Sequence, residues 1–326
     1  MMMRRQMGLT LVELMVALAI GSFLMIGAVQ IYNQSRQAFV INESIARVQE
    51  TAQFAMDTIE ADLRMASNWG RNSRGLAVEG RSILTDPNPN DLPQPSDNCA
   101  ADWVLDLALP IDGVNNGYGL DCAATGGSQA NSDVITVRRA SVAIVDPADG
   151  AGRLMIQSTR IQGELFEGTT IPAAFSAADS STHGLIVTSY YVSPTSELIN
   201  GVPTLRRHRL IGGGAAGPRI VDEEVAPGIE NLQIQLGVDV DQDNTVDRYV
   251  NPGDAIYNPN AVGAGYIPGA RVMTARIWMI VRGIMIEPGI QDNRDFEPGD
   301  VDLGVNTDSF RRMQVSKTIL LRNART

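Results

Sequence analysis

Residues 1–32 read MMMRRQMGLTLVELMVALAIGSFLMIGAVQIY, a short basic start followed by an apolar run from Leu9 to Tyr32. The run contains one ionised side chain, that of Glu13, and the next charged residue is Arg36. About 20 apolar residues are enough to cross a bilayer as a helix, so the run has the length of a membrane span. A carboxylate at bilayer depth is energetically costly, and an acid in that position therefore indicates a functional site. We expect Glu13 to have a partner of opposite charge.

Three plainer interpretations of this segment leave the acid unexplained. A secretory signal peptide has an apolar stretch of roughly 7 to 15 residues followed by a small-residue cleavage site, and Glu13 near the start of the stretch fits that pattern poorly. An ordinary single-span anchor accounts for the length of the run but not for the acid. A twin-arginine export signal, suggested by Arg4 and Arg5, has the least support.

The segment resembles the prepilin leader of type IV pilins and pseudopilins. Two arginines precede Gly8, an apolar residue follows it, and Thr10 and two more apolar residues lead to Glu13. In that family a membrane peptidase cuts after the glycine, and the new N-terminal residue is usually N-methylated. The resemblance implies cleavage between Gly8 and Leu9 and methylation of Leu9, which stands where phenylalanine is more usual. It also implies that Glu13 meets the terminal amine of a neighbouring subunit during filament assembly.

The helical period of the apolar run continues into an amphipathic stretch. Apolar residues recur at spacings of three and four from Ile41 to Ala66, and most charged residues fall on other faces. We predict one helix from about Leu9 to Ser67, roughly 90 Å long at about 1.5 Å per residue. Its first half is expected in the membrane and its second half on a globular head. Asn, Gly and Ser over 68–75 predict the end of the helix.

From residue 76 onward, short β-branched and alternating segments separated by turn residues predict strands. The predicted strands are 134–145, 154–159, 185–192, 204–211, 232–238, 272–286 and 314–321. Residues 85–98, with four prolines, predict an extended surface loop. We therefore predict an α+β, type IV pilin-like fold, with the long N-terminal helix packed on a mainly antiparallel β-sheet head. The predicted organisation is a leader over 1–8, the helix over 9–68 and a globular β-rich head over 69–326.

Composition narrows the class of protein. The chain has 326 residues, a formal net charge of -11 and 5% aromatic residues. Such an acidic chain is a poor candidate for nucleic-acid or anionic-membrane binding, and no nucleic-acid partner is expected. The sequence RRHR at 206–209 is a local basic exception. Because side chains alternate between the two faces of a strand, only half of this cluster can contribute to one surface, which favours a solvated strand or a subunit contact.

Cys99 and Cys122 are the two cysteines of the chain. In an oxidising compartment we expect them to form a disulfide. Two free buried thiols and a metal site are the alternatives, and zinc is disfavoured because no histidine lies near them in the sequence.

The segment GVDVDQDNTVDRYV, residues 237–250, contains four closely spaced aspartates. When such a segment is curled by a turn, its carboxylates can converge on a hard cation, as at the start of an EF-hand loop. The match is partial, because Asn244 stands where that loop needs glycine and Val250 where it needs a bidentate acid. A solvated acidic hairpin tip is the alternative. The candidate calcium ligands are Asp239, Asp241, Asp243, Thr245 (through its carbonyl) and Asp247.

The size of the chain, its leader, its Asp-rich hairpin and the helix segment QETAQFAMDTIEADLRMAS at 49–67 resemble the PilW minor pilin family. The resemblance implies a structural protein that primes type IV pilus assembly, sits at or near the filament tip and supports pilus-dependent motility or adhesion. The implied partners are the prepilin peptidase, other minor pilins and the major pilin, the inner-membrane assembly platform and a large tip adhesin. The implied location is the inner membrane, as a single-pass protein with a periplasmic head, and then the pilus at the cell surface.

Two other functions share the same leader. One is a type II secretion pseudopilin of the larger, J-like kind, and the other is a ligand-binding tip pilin that is adhesive or captures DNA. The Asp-rich hairpin and the length of the chain favour the PilW-like protein. Enzymatic activity is not expected, because His183 and His208 are the only histidines and no GxSxG or HExxH motif occurs. No cofactor is expected to be required, and calcium is the one candidate ligand.

Overall fold

A computed structural model of the chain describes residues 10–79, 92, 95, 102–212, 214–261, 263–287, 290 and 292–325. The chain divides into two compact units between Arg47 and Val48. Gly8, Leu9, Cys99 and most of the predicted loop 85–98 lie outside the described residues.

The first unit is helical. Helix α1 runs from Leu11 to Met65 without interruption, and its residues up to Arg47 belong to this unit. No proline interrupts the chain between Thr10 and Met65, and apolar helix-forming residues fill the first turns. The large apolar side chains of this part are exposed. By length and composition, α1 is a helix that could cross a membrane.

The end of α1 is set by backbone geometry and by local hydrogen bonds. Ser67 has a φ of 64°, a left-handed conformation that cannot continue a right-handed helix. Its Oγ donates to the carbonyl of Ser73 at 2.7 Å. Nδ2 of Asn323 donates to the carbonyl of Ala66 at 3.1 Å, which satisfies one of the acceptors left open at a helix end. The predicted end at Ser67 is therefore two residues beyond the observed end at Met65.

The second unit contains α1 from Val48 onward, a short helix α2 (Asp102–Leu105) and, within the described residues, twelve strands. In chain order the strands are β1 (Val78–Glu79), β2 (Ile111–Val114), β3 (Val134–Ile144), β4 (Leu154–Ser158), β5 (Gly163–Glu167), β6 (Ser181–Ser193), β7 (Thr204–Ile211), β8 (Arg219–Pro227), β9 (Ile229–Asp239), β10 (Arg248–Val250), β11 (Arg271–Arg282) and β12 (Arg312–Leu320). The sequence did not predict β1, β2, β5, β8 or β10.

The strands form two sheets. An eight-stranded sheet has the order β1-β5-β4-β6-β3-β2, with β7 paired to β6 and β8 paired to β7. A four-stranded sheet has the order β10-β9-β11-β12. Apart from the parallel pair of β1 and β5, the paired strands are antiparallel. The predicted α+β class with a mainly antiparallel head is confirmed, and the structure adds that the head has two sheets.

The C-terminal part of α1 and both sheets share one hydrophobic core. The buried helix residues lie at helical spacing, and each Ile or Leu among them contributes about 1.5–3 kcal/mol relative to an exposed side chain. The buried apolar helix residues are Val48, Ala52, Ala55, Met56, Ile59 and Leu63. They pack with Ile135 and Tyr190 of the larger sheet and with Ile234 and Ile277 of the smaller one. The amphipathic part of the predicted helix therefore packs on the head from Val48 onward.

Candidate functional site

Glu13, the third residue of α1, is bonded to the residue that precedes the helix. Its Oε2 accepts hydrogen bonds from the backbone N and from Oγ1 of Thr10, both at 2.9 Å. Oγ1 of Thr10 in turn accepts from the backbone N of Glu13 at 3.3 Å. This reciprocal arrangement is a capping box, which satisfies donors at the start of a helix. The Thr-x-x-Glu spacing is the sequence signature of this cap, and the charge of Glu13 alone does not reveal it.

Among the described residues, no cationic side chain pairs with the carboxylate of Glu13. Apart from Thr10, the described side chains around it are apolar, and the nearest ion pair on the helix joins Arg47 to Glu43 at 2.7 Å. The hydroxyl of Ser22, another polar group in the apolar part, donates to the carbonyl of Leu18 at 2.7 Å and is satisfied within the helix. The carboxylate of Glu13 is thus the exposed, uncompensated group of the apolar half of α1.

The acidic segment forms the turn between β9 and β10, which we call the acidic turn (residues 239–247). Asp239, Asp241 and Asp247 each offer one carboxylate oxygen, and these oxygens lie within 4.8 Å of one another. Asp239 is buried, whereas Asp241 and Asp247 are exposed. Converging carboxylate oxygens of this kind suit a hard cation such as Ca²⁺.

The other two predicted ligands, Asp243 and Thr245, are bonded to each other. Oδ1 of Asp243 accepts from the backbone N of Thr245 at 2.7 Å and from its Oγ1 at 2.6 Å. The Asp243 side chain therefore caps its own loop, and it is not among the three carboxylates that converge. The structure thus brings together three of the four aspartates proposed from the sequence.

Asp239 is also held by groups of the head. Nε and Nη2 of Arg271 donate to its Oδ2 at 3.2 and 3.1 Å, and the backbone N atoms of Gln242 and Asn244 donate to its carboxylate at 2.6 and 3.0 Å. Burial alone raises the pKa of Asp239, but these hydrogen bonds and the positive charge of Arg271 outweigh it and lower the pKa. An ionised Asp239 thus stabilises the turn, and a cation there would mainly neutralise Asp241 and Asp247.

Strand β7 divides its basic cluster between two faces. Arg207 and Arg209 lie on one face and contact Glu223 of β8 at 2.8 and 2.6 Å. Arg206 and His208 lie on the other face and are 1% and 2% exposed. The predicted alternation is confirmed, and only half of the cluster is available to solvent.

The buried half of the cluster belongs to a polar network that the sequence did not reveal. Arg206 Nε donates to Asp222 Oδ1 at 2.9 Å, and the hydroxyl of Tyr191 donates to Asp222 Oδ2 at 2.6 Å. His208 Nε2 lies 2.6 Å from the hydroxyl of Tyr118, and its ring stacks on Tyr191 with a centroid distance of 5.0 Å. Burial lowers the pKa of His208 and so favours the neutral ring. Nη1 of Arg206 makes only longer ion-pair contacts, at 3.5 and 3.6 Å, whereas the other bonds of the network hold β6, β7 and β8 together and stabilise the head.

Cys122 is buried in the head. Cys99 lies outside the described residues. The disulfide expected from the sequence stays a prediction.

Two family models match the chain. The model of the type IV pilus-assembly protein W matches residues 189–323, from the end of β6 to just beyond β12, a range that includes the acidic turn. The model of the prokaryotic N-terminal methylation motif matches residues 3–29, a range that includes Gly8, Leu9 and Glu13. No curated protein and no solved structure matches the chain. Together with the long apolar helix and the mainly antiparallel head, the two family matches support a PilW-like type IV pilin.

Proposed function

We propose that this protein is a minor pilin that primes assembly of a type IV pilus and sits at or near the filament tip. The observation that carries the proposal is the carboxylate of Glu13, the one charged group on the exposed apolar part of α1. A charge in such surroundings is costly unless another group neutralises it. The partner that this site suits is a cation supplied by another subunit.

The chemistry of assembly follows from the position of Glu13. Cleavage between Gly8 and Leu9 frees the amine of Leu9, and a methylated amine remains a cation. Attraction between that amine and the Glu13 carboxylate of a neighbour is strong in a medium of low dielectric constant. Both Thr10 hydrogen bonds use Oε2, and Oε1 accepts none from the described residues. The capping box thus orients the carboxylate while one of its oxygens remains for an incoming ammonium group. The ion pair between the Leu9 amine and the Glu13 carboxylate favours one axial stagger between neighbouring helices.

The proposed partners are the prepilin peptidase, other minor pilins, the major pilin, the inner-membrane assembly platform and a large tip adhesin. Before assembly the chain would cross the inner membrane once, with its head in the periplasm, and it would then reach the pilus at the cell surface. A unit of the size of residues 48–326 would crowd a uniformly packed shaft, which supports a place at the tip. The match to the pilus-assembly family supports a pilus over a secretion pseudopilus. The proposed role is structural, with no enzymatic activity and no nucleic-acid ligand, and serves motility or adhesion.

The test replaces Glu13 with alanine in the native host and follows membrane insertion, the mass of the N-terminus and incorporation into sheared pili. We expect Glu13→Ala to be inserted and processed as the wild type is, because the apolar run and Gly8 are unchanged, and to be poorly incorporated. Glu43→Ala is the matched control, since Glu43 is an exposed acid on the same helix outside the apolar run. Normal incorporation of Glu13→Ala would contradict the proposal, as would an equal defect in both variants.

We also propose that the acidic turn binds calcium. The support is the convergence of carboxylate oxygens of Asp239, Asp241 and Asp247 within 4.8 Å. Asp241 and Asp247 are exposed and have no arginine partner among the described residues. An exported protein meets calcium at the millimolar concentrations that weak extracellular sites require.

A further inference from the structure

Three asparagine side chains from two separate loops converge on a single carboxylate oxygen from a third. Oδ2 of Asp300 accepts from Nδ2 of Asn251 at 2.7 Å, of Asn115 at 3.0 Å and of Asn116 at 3.4 Å. Asn115 and Asn116 follow β2, Asn251 follows β10, and Asp300 lies between β11 and β12. We call these four residues the asparagine cluster. It joins an edge of the eight-stranded sheet to an edge of the four-stranded one.

The hydrogen bonding of the asparagine cluster is unbalanced. An ionised carboxylate has about two acceptor positions on each oxygen, so three amide donors exceed the capacity of Oδ2. At the same time, Oδ1 of Asn115 and Oδ1 of Asn116 are buried and have no hydrogen-bond partner among the described residues. A buried acceptor without a donor is unfavourable and calls for an explanation, such as an ion.

Rotation of the amides removes the excess of donors at Oδ2 of Asp300 and turns the oxygens of Asn115 and Asn116 towards it. The nitrogen and oxygen of a carboxamide exchange places on a half-turn with almost no change in shape. After that rotation, amide oxygens would face Asp300 Oδ2 at the distances that the amide nitrogens now have, 2.7–3.4 Å. Oxygens this close repel one another unless a cation lies between them. Ligand oxygens about 2.4 Å from Ca²⁺ and about 72–90° apart are themselves roughly 2.8–3.4 Å apart, which matches the observed spacing.

The first two segments are held in place by contacts that do not involve these amides. The backbone N of Asn116 donates to Asp133 Oδ1 at 2.8 Å, and Asp133 Oδ2 accepts from the backbone N of Ile234 at 2.7 Å. The turn after β10 packs so closely on the end of β2 that a Cβ at Gly253 would lie 2.9 Å from the carbonyl oxygen of Gly113. The amides of Asn115, Asn116 and Asn251 are therefore positioned before any ligand arrives.

The loop that carries Asp300 is fixed in the same way. The backbone N of Val301 donates to the carbonyl of Pro298 at 3.2 Å, which closes a turn around Asp300. Gly299 has a φ of 62°, and a Cβ there would lie 2.9 Å from Cβ of Gln233 on β9. Close packing against Gln233 thus places the loop that carries Asp300. Asp300 itself is exposed, so water can supply the remaining ligands of an ion.

We propose that Asn115, Asn116, Asn251 and Asp300 form a calcium site that is separate from the acidic turn and links the two sheets of the head. A single carboxylate among neutral oxygens makes a weak site, in the range of about 10⁻⁴–10⁻³ M that extracellular modules use. Such a site would stiffen the junction between the sheets only where calcium is plentiful, outside the cytoplasm.

The decisive variant is Asn251→Asp, studied in the full-length protein in detergent. At a calcium site, the new carboxylate adds a charged ligand, and the calcium dissociation constant should fall roughly tenfold. In a cluster held only by hydrogen bonds, the same change removes a donor and places two carboxylates side by side. Asn251→Asp would then melt at a lower temperature, and calcium would not restore it. Calorimetric titration and thermal unfolding with calcium, and with magnesium as the reference ion, separate these outcomes.

All variants carry Asp241→Ala, so that the acidic turn does not contribute to the signal. In this background we expect calcium, more than magnesium, to raise the melting temperature, Asn251→Asp to increase the shift and Asp300→Ala to abolish it. Absence of a calcium response in the background protein and in Asn251→Asp would overturn the proposal. A response that persists in Asp300→Ala would overturn it as well. Neither result bears on the assembly role of Glu13, which is measured by incorporation into pili.

Discussion

The hydroxyl of Tyr190 on β6 donates a 2.6 Å hydrogen bond to Oδ2 of Asp62 on α1. Nη2 and Nε of Arg139 on β3 donate to the other oxygen of Asp62 at 2.8 and 3.1 Å. Burial, reinforced by the charge of Asp62, raises the pKa of Tyr190, so the hydroxyl keeps its proton. Two residues earlier on the helix, Glu60 contacts Lys317 of β12. Neighbouring acids of α1 thus bind the helix to both sheets.

Replacing Asp62 with alanine should destabilise the head. The change leaves Arg139 without its carboxylate partner and Tyr190 without its acceptor in a largely buried setting. Loss of one member of such a pair costs about 3 kcal/mol. The measurement is the free energy of unfolding of the full-length protein in detergent, obtained by denaturant titration.

The matched control for that experiment is Asp57→Ala. Asp57 lies on the same helix, its side chain is 57% exposed, and its nearest cation is Lys317 at 3.7 Å. An exposed pair of this kind contributes less than about 1 kcal/mol. Similar losses in the two variants would show that the buried bonds of Asp62 do not fix the helix to the head.

Asp133 should make the stability of the head depend on pH. Burial raises its pKa from 3.8 to about 7, although the backbone N atoms of Asn116 and Ile234 donate to it and favour the charged form. Between pH values of about 4 and 7, the folded protein binds a proton that the unfolded chain has released. Stability due to this group therefore falls as the pH rises through that window, by at most about 1.4 kcal/mol per pH unit, and is constant above it.

The comparison that isolates Asp133 is the unfolding free energy of the wild type minus that of Asp133→Asn across the same pH range. His208 acts in the opposite direction, because its lowered pKa makes stability rise with pH until the unfolded residue is neutral. The difference between the two proteins removes that contribution. Parallel curves would mean that Asp133 does not take up a proton in the folded head.

Calcium binding at the acidic turn should depend on Asp247 more than on Asp243. The carboxylate of Asp247 converges with those of Asp239 and Asp241, whereas that of Asp243 is bonded to Thr245. In full-length protein carrying Asp300→Ala, we expect calorimetric titration with calcium to show binding that Asp247→Ala abolishes and Asp243→Ala retains. Loss of binding in both variants would instead support the ligand set proposed from the sequence, and no heat at millimolar calcium would remove the site.

The parts of the fold that the sequence predicted are those with a repeated local signal. Helix α1 combines a long apolar run with a continued period of three and four, and β7 was predicted at its observed bounds, Thr204–Ile211. Strand β8, RIVDEEVAP, was not predicted, because three consecutive acids are unfavourable for a strand on their own. The cross-strand pairs with β7 stabilise it: Glu224 lies opposite Arg206, Glu223 opposite Arg207 and Asp222 opposite His208.

The same division applies to the functional groups. Glu13 was identified because a single charge in an apolar run is visible in the sequence. The grouping of three of the four aspartates in the acidic turn depends on backbone conformation, with φ values of 67° at Gln242 and 68° at Asn244. A pattern of alternate acids does not specify those conformations, so it assigned Asp243 to the same set. The asparagine cluster joins residues from distant loops, and only the packing of the two sheets brings them together.

Asp222 and Glu223 are neighbours on β8 but lie on opposite faces of the strand, so we expect their replacement to lower the free energy of unfolding by very different amounts. Asp222 accepts hydrogen bonds from Arg206, from the hydroxyl of Tyr191 and from the backbone N of Thr125 at 2.9, 2.6 and 3.1 Å. Asp222→Ala would leave Arg206, which is 1% exposed, with only its two longer ion pairs, at 3.5 and 3.6 Å, and we expect a loss of about 3 kcal/mol in unfolding free energy.

Glu223 lies on the other face of β8, with its side chain 31% exposed, and its two arginine partners, Arg207 and Arg209, remain hydrated when it is removed. Glu223→Ala should therefore cost less than about 1 kcal/mol, even though the native residue contacts as many arginines as any acid in the sheet pair. Denaturant titration of the two variants side by side measures the difference. If Glu223→Ala proved as destabilising as Asp222→Ala, the number of ion pairs, and not their burial, would determine how firmly β8 is held to β7.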